Sequence, residues 1–175
     1  MRELALTNET LTYTLRTLTP EETVRFGVRL GQVLRVGDIV LLRGDLGAGK
    51  TQLARGIAAG LQIAGLVPSP TFTLANEYAG TNAAGDAVPL AHLDLYRLAE
   101  GGDLDSVGLA DYMSGTWAAI IEWPERALDE GFVPASYLDI ALADLGERER
   151  QLTCTAHGAA ARLLLAVTRA IVGEG

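Results

Sequence analysis

A chain of 175 residues, 49% hydrophobic and 21% charged, suits one globular domain with enough apolar material for a real core. Its formal net charge of −8 argues against tight, independent binding of RNA or DNA, which rests on basic surfaces, but leaves room for a role in RNA metabolism through a protein partner. The single cysteine, Cys154, excludes an internal disulfide and a cysteine-rich metal site, and two distant histidines, His92 and His157, make zinc a poor fit.

Thr10 to Leu18 alternates, with Leu11, Tyr13 and Leu15 on one face, and predicts a first strand. Thr19-Pro20-Glu21-Glu22 reads as a helix start. Thr19 caps, Pro20 takes the first helical position, and Glu22 closes a capping box. The helix runs to about Leu34, with Gly37 beyond it as a stop. Asp38 to Arg43 is a short apolar strand.

Next comes Gly44-Asp45-Leu46-Gly47-Ala48-Gly49-Lys50-Thr51, which fits G-x-x-x-x-G-K-[ST], and a helix from about Lys50 to Leu61. The strand–loop–helix setting separates a phosphate loop from an ordinary glycine-rich turn. Lys50 is the only lysine; the other thirteen of the fourteen basic residues are arginine. A chance match has odds on the order of one in a thousand. In such a loop the backbone N–H groups form an anion nest, and the helix N-terminus adds partial positive charge. Lys50 would neutralise β- and γ-phosphate oxygens, and the Thr51 hydroxyl would ligate Mg²⁺. The guanine-recognition element [NT]-K-x-D needs a second lysine, so the expected nucleotide is ATP.

Leu66 to Pro70 reads as a loop and Ser69-Pro70-Thr71-Phe72 equally as a switch segment sensing the γ-phosphate or as a plain turn. Thr71 to Tyr78 predicts a strand, Ala79 to Asp86 a polar turn and Val88 to Leu95 the next strand. These pair as an antiparallel hairpin and make the sheet mixed. Gly101 to Ser114 suggests short helical pieces broken at Gly108. Trp117 to Trp123 is a buried strand ending at Pro124, followed by a short helix to Glu130. Ser136 to Ala143 and Arg150 to Ala156 form a second hairpin around Leu145-Gly146-Glu147, and a last helix spans about Ala159 to Val172. Cys154 lies in an alternating run and reads as a small core residue.

A phosphate-loop site needs a carboxylate on the metal or the attacking water, commonly at the end of an apolar strand. Asp94 and Glu122 both qualify. Glu122 follows the cleaner apolar run and is the preferred metal-side acid, whereas Asp94 is assigned to water or a metal-bound water. The alternative for either is a strand-end carboxylate facing solvent. Arg97 and Arg126 follow strand ends and read as surface charges, with phosphate contact as the alternative. Trp123, beside Glu122, reads as packing, with substrate stacking as the alternative.

Four blocks now stand in order: Gly44 to Thr51, Ser69-Pro70-Thr71-Phe72-Thr73-Leu74, His92-Leu93-Asp94-Leu95-Tyr96-Arg97-Leu98 and Ile121-Glu122-Trp123-Pro124-Glu125. Together with Gly108-Leu109-Ala110-Asp111-Tyr112, they closely resemble the bacterial TsaE family, also called YjeE. The resemblance implies a P-loop NTPase-like three-layer α/β fold, a mixed sheet flanked by helices, with residues 1–175 as a single ATPase domain. It implies an Mg²⁺-dependent ATPase acting with TsaB and TsaD in making threonylcarbamoyladenosine in tRNA, the tRNA being reached indirectly. Lys50 would bind phosphate, Thr51 and Glu122 would hold Mg²⁺, Asp94 would lie at the γ-phosphate, and Ser69 to Thr71 would form the switch. The polar turn from Gly80 to Ala87 and the long C-terminal helix depart from the family's pattern and bear on partner contacts.

No apolar run reaches membrane-span length, the most apolar helix being interrupted by Arg162 and Arg169, and no secretory signal is visible. The expected compartment is the cytoplasm. Two rivals share the phosphate loop. A small-molecule kinase would need a mobile, arginine-bearing lid, and no arginine lies between Arg97 and Arg126. A nucleotide-dependent binding module would bind ATP without meaningful hydrolysis.

Overall fold

A computed structural model describes residues 6–7, 10–65, 67–70, 72–100, 104, 108–132 and 134–173. In chain order the elements are β1 (Leu6–Thr7), β2 (Thr10–Thr17), α1 (Pro20–Val33), β3 (Ile39–Arg43), α2 (Lys50–Gly60), β4 (Ala75–Thr81), β5 (Ala87–Asp94), a 3-10 turn (Tyr96–Glu100), α3 (Leu109–Tyr112), β6 (Ala118–Glu122), α4 (Glu125–Asp129), β7 (Tyr137–Asp144), β8 (Arg150–His157) and α5 (Ala159–Gly173). The described strands form one eight-stranded sheet in the order β1-β2-β8-β7-β3-β6-β5-β4. β7, β3, β6 and β5 run parallel; the remaining pairings are antiparallel. The sheet is mixed, as the two hairpins predict.

Alternation of side chains along β3 divides the core. Val40 and Leu42 join Leu90, Ile120, Leu138 and Ile140 beneath α1, α2 and α5. Ile39 and Leu41 join Leu93, Ala119 and Ile121 on the opposite face, covered by Leu98, Leu109 and Ala127 of the 3-10 turn, α3 and α4. Strands covered on both faces read as continuous apolar runs, which is why β3 and β6 stand out in the sequence. The result is the expected three-layer α/β arrangement.

The helix start at Thr19 forms with a modified closure. Thr19 Oγ1 accepts from the Glu22 N–H at 3.3 Å, but the Glu22 carboxylate accepts from the Leu18 N–H at 2.7 Å rather than from that of Thr19. Helix α1 then lies against α2 along a glycine seam. A Cβ added at Gly31 would sit 2.1 Å from the Ile57 carbonyl oxygen, and one at Gly60 2.2 Å from that of Val28. Gly27 and Gly56 fill the same seam one turn earlier. Helical glycine costs roughly 0.5–1 kcal/mol relative to alanine, so its use at four facing positions marks close backbone approach. This contact fixes the axis of α2 and hence the place of its N-terminus.

The predicted strand from Thr71 to Tyr78 begins later, at Ala75, and runs through residues assigned to the turn. Leu74 has φ 66°, a left-handed conformation incompatible with extended pairing, and its N–H bonds to the Pro70 carbonyl at 2.7 Å. Gly80 is a close-approach residue of the strand and not a turn residue: an added Cβ would meet Leu61 Cβ at 2.9 Å. The turn is built instead by buried Asn82, whose Oδ1 accepts from the Ala84 and Asp86 N–H groups. Leu66 and Thr71, and positions 101–103 and 105–107 of the predicted helical pieces, lie outside the described residues. Cys154 is a core residue, as expected, and burial pushes its thiol pKa well up. Among the described residues, no helix is long and apolar enough to cross a membrane.

Candidate nucleotide-binding site

Three parallel strands deliver their carboxyl ends to one edge of the sheet. β3 runs into the glycine-rich loop, and Asp94 and Glu122 are register partners at the ends of β5 and β6. Glu122 is also in register with Leu42 of β3. Ligands of open α/β sheets settle at such carboxyl ends.

The loop turns on glycines with positive φ. Gly44 has φ 138°, and an added Cβ there would fall 2.5 Å from the Leu142 carbonyl oxygen. Gly49, with φ 104°, occupies the N-cap of α2 and leaves the helix mouth clear of a side chain. A cleft of about 340 Å³ opens at this mouth, lined by Leu46, Gly47, Gly49, Lys50, Thr51 and Gln52 from the loop and helix. Ser69, Asp94, Tyr96, Glu122 and Trp123 complete its wall. Of the predicted loop residues, Gly44, Asp45 and Ala48 frame the turn without lining the cleft.

Lys50 is buried against its own loop. Its Nζ donates to the Gly44 carbonyl at 2.6 Å and to the Asp45 carbonyl at 2.9 Å, and lies 3.8 Å from the centre of the Trp123 ring. Burial holds its amine below the ordinary lysine pKa, while Glu122, Glu125, Asp94 and Asp45 pull in the other direction. Thr51 Oγ1 donates to Glu122 Oε2 at 3.2 Å, and Ser69 Oγ donates to Asp94 Oδ2 at 3.2 Å. Asp94 Oδ1 accepts from the Tyr96 N–H at 3.0 Å, which turns the carboxylate toward the cleft.

Both candidate acids are almost wholly buried, at 3% exposure for Asp94 and 2% for Glu122. That separates them from solvent-facing strand ends, the alternative the sequence left open. Among the described residues, no group of three or more His, Cys, Asp or Glu could hold a metal ion alone. The Thr51–Glu122 pair instead offers two hard oxygen donors facing the cleft. Mg²⁺ takes such a set from a protein when phosphates and water supply the other positions.

Three side chains around the cleft make contacts that the sequence reading did not give them. His92 is fully buried, and its Nε2 lies 2.8 Å from Glu122 Oε1. Its place two residues before Asp94 on β5, hence on the same face, was the available signal. Trp123, expected to pack, is a wall of the cleft and the cover of Lys50; its φ of 57° is a strained value for a bulky residue. Arg150 reaches the loop carbonyls across 102 residues of sequence, a contact that no local pattern announces. Arg97 lies 4.2 Å from the centre of the Phe72 ring, and Arg126 pairs with Glu130 at 2.6 Å; neither lines the cleft. Of the predicted switch, Ser69 lies in the cleft wall, whereas Thr71 is outside the described residues.

The chain is similar to known proteins. The family model of the threonylcarbamoyl adenosine biosynthesis protein TsaE matches residues 17–152. The tRNA threonylcarbamoyladenosine biosynthesis protein TsaE of Nostoc sp. is 41% identical over 139 residues, covering 76% of this chain and 80% of the relative. The protein of the same description from Bacillus subtilis is 39% identical over 144 residues, covering 82% and 85%. The crystal structure of Bacillus subtilis YdiB superposes with a TM-score of 0.76 at 32% identity, covering 93% of this chain and 97% of that one. With the family pattern running from the end of β2 into β8 and close relatives aligned over most of its length, this chain belongs to the TsaE family.

Proposed function

We propose that residues 1–175 form a single-domain, Mg²⁺-dependent ATPase that works in the cytoplasm with TsaB and TsaD in the biosynthesis of threonylcarbamoyladenosine in tRNA. The observation that carries this reading is the convergence of Lys50, Thr51, Asp94 and Glu122 around one cleft at the mouth of α2. The names of the relatives support the pathway.

In this reading Lys50 leaves the Gly44 and Asp45 carbonyls for the β- and γ-phosphates, and the residue 44–51 loop cradles the polyphosphate. Thr51 and Glu122 would hold Mg²⁺, whose chemistry is to neutralise phosphate charge. Asp94, steadied by Ser69 and the Tyr96 N–H, orients the attacking water. The net charge of −8 fits an indirect route to tRNA through the partner proteins.

The test is phosphate release from ATP, measured with the chain alone and after adding TsaB and TsaD. Partner-stimulated release of free phosphate is expected. ATP binding with no release in any mixture would reduce the protein to a binding module, and transfer of phosphate to a metabolite would make it a kinase.

A further inference from the structure

A phosphate-binding loop works through N–H groups that face inward. A trans peptide then sends the paired carbonyl outward, where it needs a donor. In this chain Lys50 serves the carbonyls of Gly44 and Asp45. The carbonyls of Gly47 and Ala48 are served by Arg150. Its Nε donates to Ala48 O at 2.9 Å, and Nη2 makes a weaker contact to Gly47 O at 3.4 Å. The guanidinium is itself held along another edge: Nη1 donates to Gly146 O at 3.0 Å and Glu149 O at 2.9 Å, while the Asp144 carboxylate pairs with it 2.8 Å from Nε, beside Ala48 O.

We infer that Arg150 is a positioning residue for nucleotide binding: it locks the Ala48–Gly49 peptide so that the Gly49 N–H faces the phosphates. This rests on the ATP-binding reading above. The peptide needs a lock because Gly49, at φ 104°, has no side chain to restrict rotation on its C-terminal side. Only a planar fork can span the loop carbonyls and the β7–β8 hairpin together, so lysine is an incomplete substitute. The inference assigns Arg150 to the loop backbone and not to the metal, so its loss acts equally with and without Mg²⁺.

The experiment titrates full-length protein with ATP by calorimetry, in Mg²⁺ and in chelator, for wild type, Arg150→Ala and Arg150→Lys. Melting curves establish that each is folded. Arg150→Ala should bind ATP at least ten-fold more weakly in both conditions, Arg150→Lys should lie between, and guanidinium ion at about 50 mM should restore much of the alanine variant's affinity. That rescue is a response that a merely structural arginine would not give. Alanine-variant affinity within two-fold of wild type, or a loss that guanidinium leaves untouched, overturns the inference. If Arg150→Ala fails to fold, Arg150→Lys decides: wild-type affinity overturns the lock, and an equal loss in both conditions supports it. Failure of the wild type to bind ATP sinks the ATPase reading and this inference together, whereas binding by wild type and Arg150→Ala alike sinks this inference alone.

Discussion

His92 Nε2 and Glu122 Oε1 lie 2.8 Å apart in a contact sealed from solvent, leaving the other carboxylate oxygen of Glu122 for the Thr51 hydroxyl. The imidazole therefore fixes the rotation of the acid that is proposed to serve Mg²⁺. Partners of this kind typically contribute about 10–100-fold in metal affinity. His92→Leu should raise the Mg²⁺ concentration needed for half-maximal hydrolysis by about ten-fold, while ATP affinity in chelator stays within two-fold of wild type. His92→Gln, which can present an N–H near the Nε2 position, should recover part of the loss. Equal weakening in chelator would mean that His92 supports the fold and not the acid.

Trp123 reports on the cleft directly, because its ring covers Lys50 and packs 4.9 Å from Tyr96. The chain has two tryptophans, so Trp117→Phe leaves Trp123 as the only one. Adding ATP with Mg²⁺ should draw the Lys50 amine away from the ring and change the emission in a saturable manner. A flat titration, in a variant whose ATP binding is confirmed independently, would dissociate Lys50 from the phosphates.

The sequence carried much of this because its central elements are locally encoded. β3 and β6 are unbroken apolar runs, and the glycine loop needs both its glycines and its lysine at fixed spacing. Asp94 and Glu122 were found from their position at strand ends. The glycine seam was missed because Gly27, Gly31, Gly56 and Gly60 acquire meaning only once α1 and α2 are side by side. Gly80 was misread for the same reason: as a lone letter it signals a turn, and in the fold it makes room for Leu61. The contacts of Arg150 span more than half the chain and have no local signature.

The seam gives a stability prediction. Gly31→Ala places a methyl group 2.1 Å from a backbone oxygen that cannot step aside without moving α2. Overpacking of this kind costs about 1–3 kcal/mol, or a fall in melting temperature of roughly 3–10 °C. Gly146→Ala, where the added atom meets nothing within 4 Å, is the control and should melt like wild type. Equal melting of both variants would remove the seam's role in setting α2.

The lowered pKa of Lys50 gives a pH dependence with a definite sign. Burial, its largest cause, makes the folded protein release this proton at lower pH than the unfolded chain, where lysine titrates near ~10.4. Between those two values the unfolded chain holds more protons, so this group's penalty on folding fades as pH rises. ATP binding responds in the opposite direction, because the phosphates need the ammonium form. Affinity measured from neutral pH upward should decline toward that of Lys50→Ala before pH reaches ~10.4. A decline centred at the ordinary lysine value would contradict the buried setting.

The most direct measurement is calorimetric titration of ATP into wild type and Lys50→Ala, with melting curves to establish that both are folded. Wild type should bind, and the variant should bind about 100-fold more weakly, the equivalent of about 2.7 kcal/mol for a lost charge-assisted contact. Its melting curve serves as the fold control, because relief of the desolvated amine is offset by the Gly44 and Asp45 carbonyls left without this donor. A folded Lys50→Ala that binds ATP as tightly as wild type would contradict the assignment of this cleft to a nucleoside triphosphate.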